Sequence, residues 1–264
     1  MPHNKYRVAT VINYCTNDYK FIGYCIAEAG AFSAQVIVPV CDHFLDGTPE
    51  NRELLDKTYM ENQTRATFVE YKYDLRVFTD LRYNAVHGFS RLVGLNNTHD
   101  DIEYLLFIDA DEIIEGDRFQ RFLNAADIEQ YNVVSFANYY YFRDVRFRAK
   151  VLEDSILLVR KTALTPEVIL HEHDRFGIIK LTPGDKIRGV LGLDNKPLAH
   201  HYSWVRTKDE MLTKVRTFGH KSDLDWVSLI EEEFTHEFDG KDFMHDYEYE
   251  TVEPYISIDM DRGR

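Results

Sequence analysis

Long hydrophobic runs are missing from this 264-residue chain, and no segment approaches the roughly 20 consecutive apolar residues that a membrane-spanning helix needs. The stretch Met1 to Arg7 is polar and lacks the charged-then-apolar layout of a secretion leader, so a soluble, cytoplasmic protein is expected. Cysteine is scarce. Cys15, Cys25 and Cys41 are odd in number and show no C-x-x-C spacing, which argues against a disulfide framework and fits a reducing compartment. Positive charge is in deficit, with 31 Lys and Arg against 45 Asp and Glu and a net charge of −14. Nucleic acid and anionic membrane are therefore unlikely partners, since both are bound by Lys and Arg. Glycine is absent where phosphate-cradling loops require it. Neither G-x-x-x-x-G-K-[ST] nor G-x-G-x-x-G occurs, so kinase-type and dinucleotide-binding readings lack support.

Apolar residues make up 44% of the chain and aromatics 14%, enough for a sizeable core without a metal or disulfide staple. The length suits one large α/β domain, or one domain plus a short appendage. Tyr6 to Asn13, Ala34 to Val40 and Tyr104 to Ile108 read as buried strands, because parallel strands covered on both faces are continuously apolar, and Thr67 to Tyr73 reads as a further strand. Helices are expected over Asp18 to Gly30, Leu81 to Leu95 and Phe119 to Ile128. Further strands are expected at Asn132 to Asn138, Ile156 to Val159 and Pro197 to Trp204. This alternation predicts an α/β fold with a mostly parallel sheet and helices on both faces. His171 to Arg175 and Thr182 to Lys196 read as loops. Thr207-Lys208-Asp209-Glu210 has the capping-box pattern and opens a helix ending at Gly219, with a second helix after Ser222. The expected division is a catalytic domain over 1–205 and a helical extension over 206–264, packed on the same domain.

The chemistry concentrates after the most apolar strand. Tyr104 to Ile108 runs directly into Asp109-Ala110-Asp111-Glu112. In open α/β sheets, ligands bind beyond the carboxyl ends of the strands. Two carboxylates one residue apart can face the same way in extended chain. Such a pair suits a hard divalent cation, Mn2+ or Mg2+, which could neutralise a diphosphate leaving group. The plainer reading is a solvated acidic turn at a helix start. The buried strand feeding it favours the site.

The segment FIDADE resembles the strand-DxD motif of GT-A glycosyltransferases, family 2 and its relatives in particular, over roughly Tyr6 to Lys161. The resemblance implies a GT-A, Rossmann-like fold and sugar transfer from a nucleotide-diphosphate sugar, UDP-linked by default, to a glycan or other hydroxyl acceptor, with inversion. It places Asn13 and Asp42 near the nucleoside. Arg82-Tyr83-Asn84 is similar to the family's Arg-Asn pair, which puts Arg82 with the donor-binding residues. Asp109 and Asp111 would hold the metal. HHYSW at His200 to Trp204 is similar to the late metal-binding histidine of related transferases. Adjacent strand residues face opposite ways, so one of His200 and His201 should reach the metal, with His201 preferred. Arg206, and with it Lys208 and Lys214, could bind the diphosphate, or they could be the solvated face of a capped helix. The acceptor's base is expected in an acidic motif beyond the DxD. Glu153-Asp154 and the HEHD segment qualify, and Glu172 or Asp174 is preferred.

Two other readings compete. A sugar-phosphate nucleotidyltransferase can share this sheet, but it needs a glycine-rich loop after the first strand, where this chain has Asn13-Tyr14-Cys15-Thr16-Asn17. A non-catalytic carbohydrate-binding protein is the other, against which the intact DxD and the late histidine count.

Overall fold

The structure is a computed structural model that describes residues 5–73, 84–171, 173–217 and 224–258, with side chains 84–86 left aside. The chain runs β1 (Val8–Asn13), a 3-10 turn, α1 (Tyr19–Gly30), β2 (Gln35–Cys41), α2 (Arg52–Asn62), β3 (Thr67–Tyr71), α3 (Asn84–Asn96), β4 (Tyr104–Asp109) and β5 (Glu112–Ile114). It continues through α4 (Gly116–Ala125), β6 (Val133–Phe142), β7 (Phe147–Arg160), α5 (Pro166–Ile169), α6 (Asp174–Leu181), β8 (Lys186–Val190) and β9 (Ala199–Trp204). It closes with α7 (Lys208–Thr217), α8 (Trp226–Glu233) and β10 (Tyr249–Thr251).

One mixed sheet has the order β3-β2-β1-β4-β7-β6-β9-β5, with β10 on β7 and β8 on β6. Strands β3, β2, β1 and β4 are parallel, as are β6 with β8 and β6 with β9. Strands β1 and β4 are almost wholly apolar because their alternate residues feed two cores. Val8 and Ile12 of β1, with Tyr104, Leu106 and Ile108 of β4, pack with α1 and α4. Ala9 and Val11, with Leu105 and Phe107, pack with α5 and α6. This is the α/β arrangement expected from the alternation of strands and helices.

Helix α3 lies close to the sheet because two of its residues lack a side chain. A Cβ built on Gly94 would lie 2.3 Å from Val11 Cγ1, and one on Gly88 would lie 2.3 Å from the Ile169 carbonyl oxygen. Val11 is β-branched and buried, so it cannot give way. Gly94→Ala should therefore cost about 1–3 kcal/mol, as overpacking does. Urea unfolding should show a lower midpoint with an unchanged slope.

Several boundaries differ from the sequence reading. The sequence reading assigned no element between Val40 and Thr67, where α2 forms: Asn51 caps it by accepting from the Leu54 amide at 3.1 Å. Asp174 and Arg175, read as loop, open α6, and Lys186–Val190, read as loop, form β8. Strand β7 begins nine residues before Ile156. The segment after 205 is not purely helical, because β10 pairs antiparallel with β7. Its helices rest on a third core of Tyr140, Phe142, Trp204, Met211, Val215 and Ile230. The capping box forms as read: the Thr207 amide donates to Glu210 Oε2 at 2.7 Å, and the Glu210 amide donates to Thr207 Oγ1 at 3.3 Å. Gly219 lies outside the described residues. Among the described residues, no helix is long and apolar enough to cross a membrane.

Candidate active site

Parallel pairing sets the position of the site. β1 and β4 run in register, Asn13 opposite Asp109, so both strands end at one edge. There a cavity of about 780 Å³ is lined by Asn13, Asp109, Asp111, Asp174, His201 and Arg206, among others. The turn after Asp109 is fixed by the Ala110 amide donating to the Asn13 carbonyl at 3.0 Å. β5 then pairs antiparallel with β9, Glu112 opposite His201, and the Tyr202 amide donates to the Asp111 carbonyl at 2.8 Å. That ladder brings a late strand beside the acidic turn.

Strand alternation separates the two histidines. His200 points away from the cavity. Its Nδ1 lies 2.8 Å from the Tyr141 hydroxyl, its Nε2 3.2 Å from Glu115, and its ring stacks on Tyr255 at 4.5 Å. His201 faces the cavity, with Nε2 3.8 Å from Asp111 Oδ1 and Nδ1 3.3 Å from Glu153 Oε2. Burial lowers the His201 pKa, but the Glu153 hydrogen bond and the charges of Glu112, Asp111 and Glu153 outweigh it and raise it to about 9.

The two aspartates have different surroundings. Asp111 is 4% exposed, and its Oδ2 accepts from Lys214 at 3.3 Å and from Arg206 at 3.5 Å. Arg206 is also buried. It donates to the Asn17 carbonyl at 2.6 Å and pairs with Asp18. Asp109 accepts through Oδ1 from Asn13 and Arg91, both at 3.3 Å, and through Oδ2 from Arg175 at 3.0 Å. Burial pushes the Asp109 carboxyl up, but Arg175 and Arg91, with smaller effects from His87 and His201, hold it well below the usual range.

Behind these groups runs a second tier of charge. Arg175 also pairs with the fully buried Glu112, which accepts from Ser155. Arg91 joins Asp174. Asp174 opens α6 with φ +49°, a left-handed backbone unusual for aspartate and of the kind found where a site fixes a side chain.

The structure thus gathers Asn13, Asp109, Asp111, Asp174, His201, Arg206 and Lys214 around one cavity. Asp42 sits at its rim: its neighbours Cys41 and His43 line the cavity, while its own carboxylate is 61% exposed and touches His43. Lys208 pairs with Glu231 instead, at the start of α7. Arg82 and Glu172 lie outside the described residues. The sequence reading missed Arg91, His87, Arg175 and Glu112. His87 and Arg91 are four apart on α3, and a polar pair at helical spacing within an apolar helix was the available signal.

What part of this chain resembles is a family of glycosyltransferases. Residues 64–183, a little under half of the chain, match the family described as Glycosyl transferase family 2, which upholds the resemblance drawn from FIDADE. His201, Arg206 and Lys214 lie beyond the matched residues. Among solved structures, TarS 1–349 of S. aureus shares 14% identity at TM-score 0.45, covering 87% of this chain and 72% of that one. GlyE of Streptococcus pneumoniae shares 12% at TM-score 0.44, covering 88% and 64%. The 4-diphosphocytidyl-2C-methyl-D-erythritol synthase of Anaerococcus prevotii shares 9% at TM-score 0.44, covering 78% and 94%. Likeness at this level carries nothing about donor or acceptor. No curated protein sequence matches the chain.

Proposed function

We propose that this protein moves a sugar from a nucleotide-diphosphate sugar, UDP-linked by preference, to the hydroxyl of a glycan or other acceptor, with Mn2+ or Mg2+ bound and with inversion. One observation carries the reading: Asp111 Oδ1 and His201 Nε2 face each other at 3.8 Å in the cavity while Glu153 holds the far side of the imidazole. A carboxylate behind a histidine ring fixes its tautomer and orients it as a metal ligand. The donor set, one carboxylate oxygen and one imidazole nitrogen with room between them, suits such a cation. When bound, the cation would neutralise the charge that develops on the departing diphosphate.

The chain's own groups do the rest. Asp109 has both oxygens engaged by Arg91, Asn13 and Arg175, so we assign it to the surroundings of the cation rather than to its direct ligands. Lys214 and Arg175 line the cavity and can receive leaving-group charge. Arg206, wholly buried, acts through Asp111. Asn13 and the end of β2 near Asp42 form the nucleoside side. Asp174 is our choice of base among the described residues. Its Oδ1 is tied to Arg91, but among the described residues Oδ2 has only Arg175 Nε at 4.0 Å and is left to take the acceptor proton. Residues 206–258 serve as an extension of the same domain, since Arg206 and Lys214 reach into its site.

Incubation with α-linked UDP-sugars and Mn2+, followed by proton NMR of the first-formed product, tests this. A β product is expected, and Asp174→Asn should lower kcat by about 100-fold or more with little change in donor KM. An α product would overturn inversion, and unchanged kcat would remove Asp174 as base.

A further inference from the structure

Three consecutive residues at the end of β2, on the nucleoside side of the cavity, form a cluster whose thiol and imidazole have no role in the sugar transfer proposed above. Among the described residues, Cys41, Asp42 and His43 alone bring three potential metal-ligand atoms within 4.8 Å of one another. Cys41 Sγ lies 3.5 Å from His43 Nδ1 and 3.8 Å from Asp42 Oδ1, and Asp42 Oδ1 lies 2.5 Å from the same ring nitrogen. In a tetrahedral zinc site, bonds of about 2.3 Å to sulfur and about 2.0–2.2 Å to nitrogen or oxygen place sulfur roughly 3.5–3.6 Å from each of the other ligands. The 3.5 Å separation from His43 already meets that spacing, and the 3.8 Å separation from Asp42 exceeds it by about 0.2 Å. The nitrogen–oxygen pair must open by about 0.8–0.9 Å to reach tetrahedral spacing. Asp42 can supply that by side-chain rotation, because its carboxylate is mostly solvent-exposed.

The backbone beneath the cluster is held. His43 bridges Pro49 in antiparallel fashion, the Glu50 amide donates to the Asp42 carbonyl at 3.1 Å, and the Phe44 amide donates to the Thr48 carbonyl at 2.8 Å. The His43 ring lies 4.5 Å from that of Tyr73. Ligands carried on a fixed loop lose little freedom on binding an ion. Cys41 and His43 both line the cavity, so a fourth position would open towards it.

We propose that Cys41, Asp42 and His43 form a second metal site, selective for a thiophilic divalent ion such as Zn2+ and separate from the cation at Asp111 and His201. Ligand chemistry makes the division: thiolate and imidazole favour zinc, whereas an oxygen-rich site with one imidazole accepts Mn2+ or Mg2+. The site stands on its own geometry and does not depend on the sugar-transfer reading. Being at the nucleoside side of the cavity, it would let Zn2+ oppose nucleotide entry.

Cadmium titration of the full chain, read by the ultraviolet thiolate-to-metal band, tests this. One ion per chain with a thiolate band is expected. The band should vanish in Cys41→Ser and persist in Asp111→Ala, and His43→Gln should weaken binding at least tenfold. Circular dichroism checks the folding of each variant, and His43→Gln decides the matter if Cys41→Ser does not fold. No band, a band that survives in Cys41→Ser, or unchanged affinity in His43→Gln would overturn the proposal.

Discussion

Asp111→Ala is expected to reduce kcat/KM for sugar transfer by about 1,000-fold or more, equivalent to roughly 4 kcal/mol of transition-state stabilisation. The size follows from its position. The buried carboxylate serves two sets of partners at once: Oδ1 faces His201, and Oδ2 accepts from Lys214 and Arg206. Removing it deletes a proposed ligand and takes a carboxylate from Lys214 and Arg206, whose charge then opposes an incoming metal ion. Extra Mn2+ should not restore the rate. Glu153→Gln gives a graded comparison, because it acts through the His201 ring. Losses of about 10–100-fold in metal affinity are usual for such a partner. Initial rates across an Mn2+ series separate the two variants. Activity of Asp111→Ala within tenfold of the parent would sink the assignment.

Arg206→Ala is expected to cost about 3–5 kcal/mol of folding stability, the range for removing one partner of a buried ion pair. Arg206 is 1% exposed and ties the turn after β1 to the acidic turn after β4, through the Asn17 carbonyl, Asp18 and Asp111. Its loss takes the guanidinium from Asp18 and from the Asn17 carbonyl, and leaves Asp111 with Lys214 and His201. Arg206→Lys keeps the charge but not the planar fork, so it should recover only part of the loss. Urea unfolding of the three proteins reads this directly. A loss under about 1 kcal/mol would mean that the pairs are solvated and near neutral.

The legible parts of the fold were those where one cause dominated. β1 and β4 are covered on both faces, so an unbroken apolar run sufficed to find them. The acidic turn was legible because it follows the most apolar strand, and α7 because its capping box is local. β7 was half hidden. Its first nine residues, Phe147 to Ser155, mix charged and apolar side chains, and their strand character comes from pairing with β6 and β10, which is set over a hundred residues away for β10. α2 was missed because its exposed face dominates its composition.

The site divides in the same way. Asp109 and Asp111 are neighbours in sequence, and alternation along β9 gave a reason to separate His200 from His201. Arg91 and Arg175 could not be placed, since their partner Asp109 comes from another element in each case. Nothing local in GFSRLVG or HEHDRF announces which arginine turns inward. Glu112 was in view as the third acid of DADE, but its burial depends on Arg175 arriving from α6.

Calorimetric titration of UDP and GDP into the protein, with and without Mn2+, tests the metal-nucleotide site most directly. Binding of one nucleotide that requires Mn2+ and disappears in Asp111→Ala is the expected result, and it would also name the donor's base. Binding of neither nucleotide with Mn2+ present would contradict a UDP- or GDP-sugar transferase.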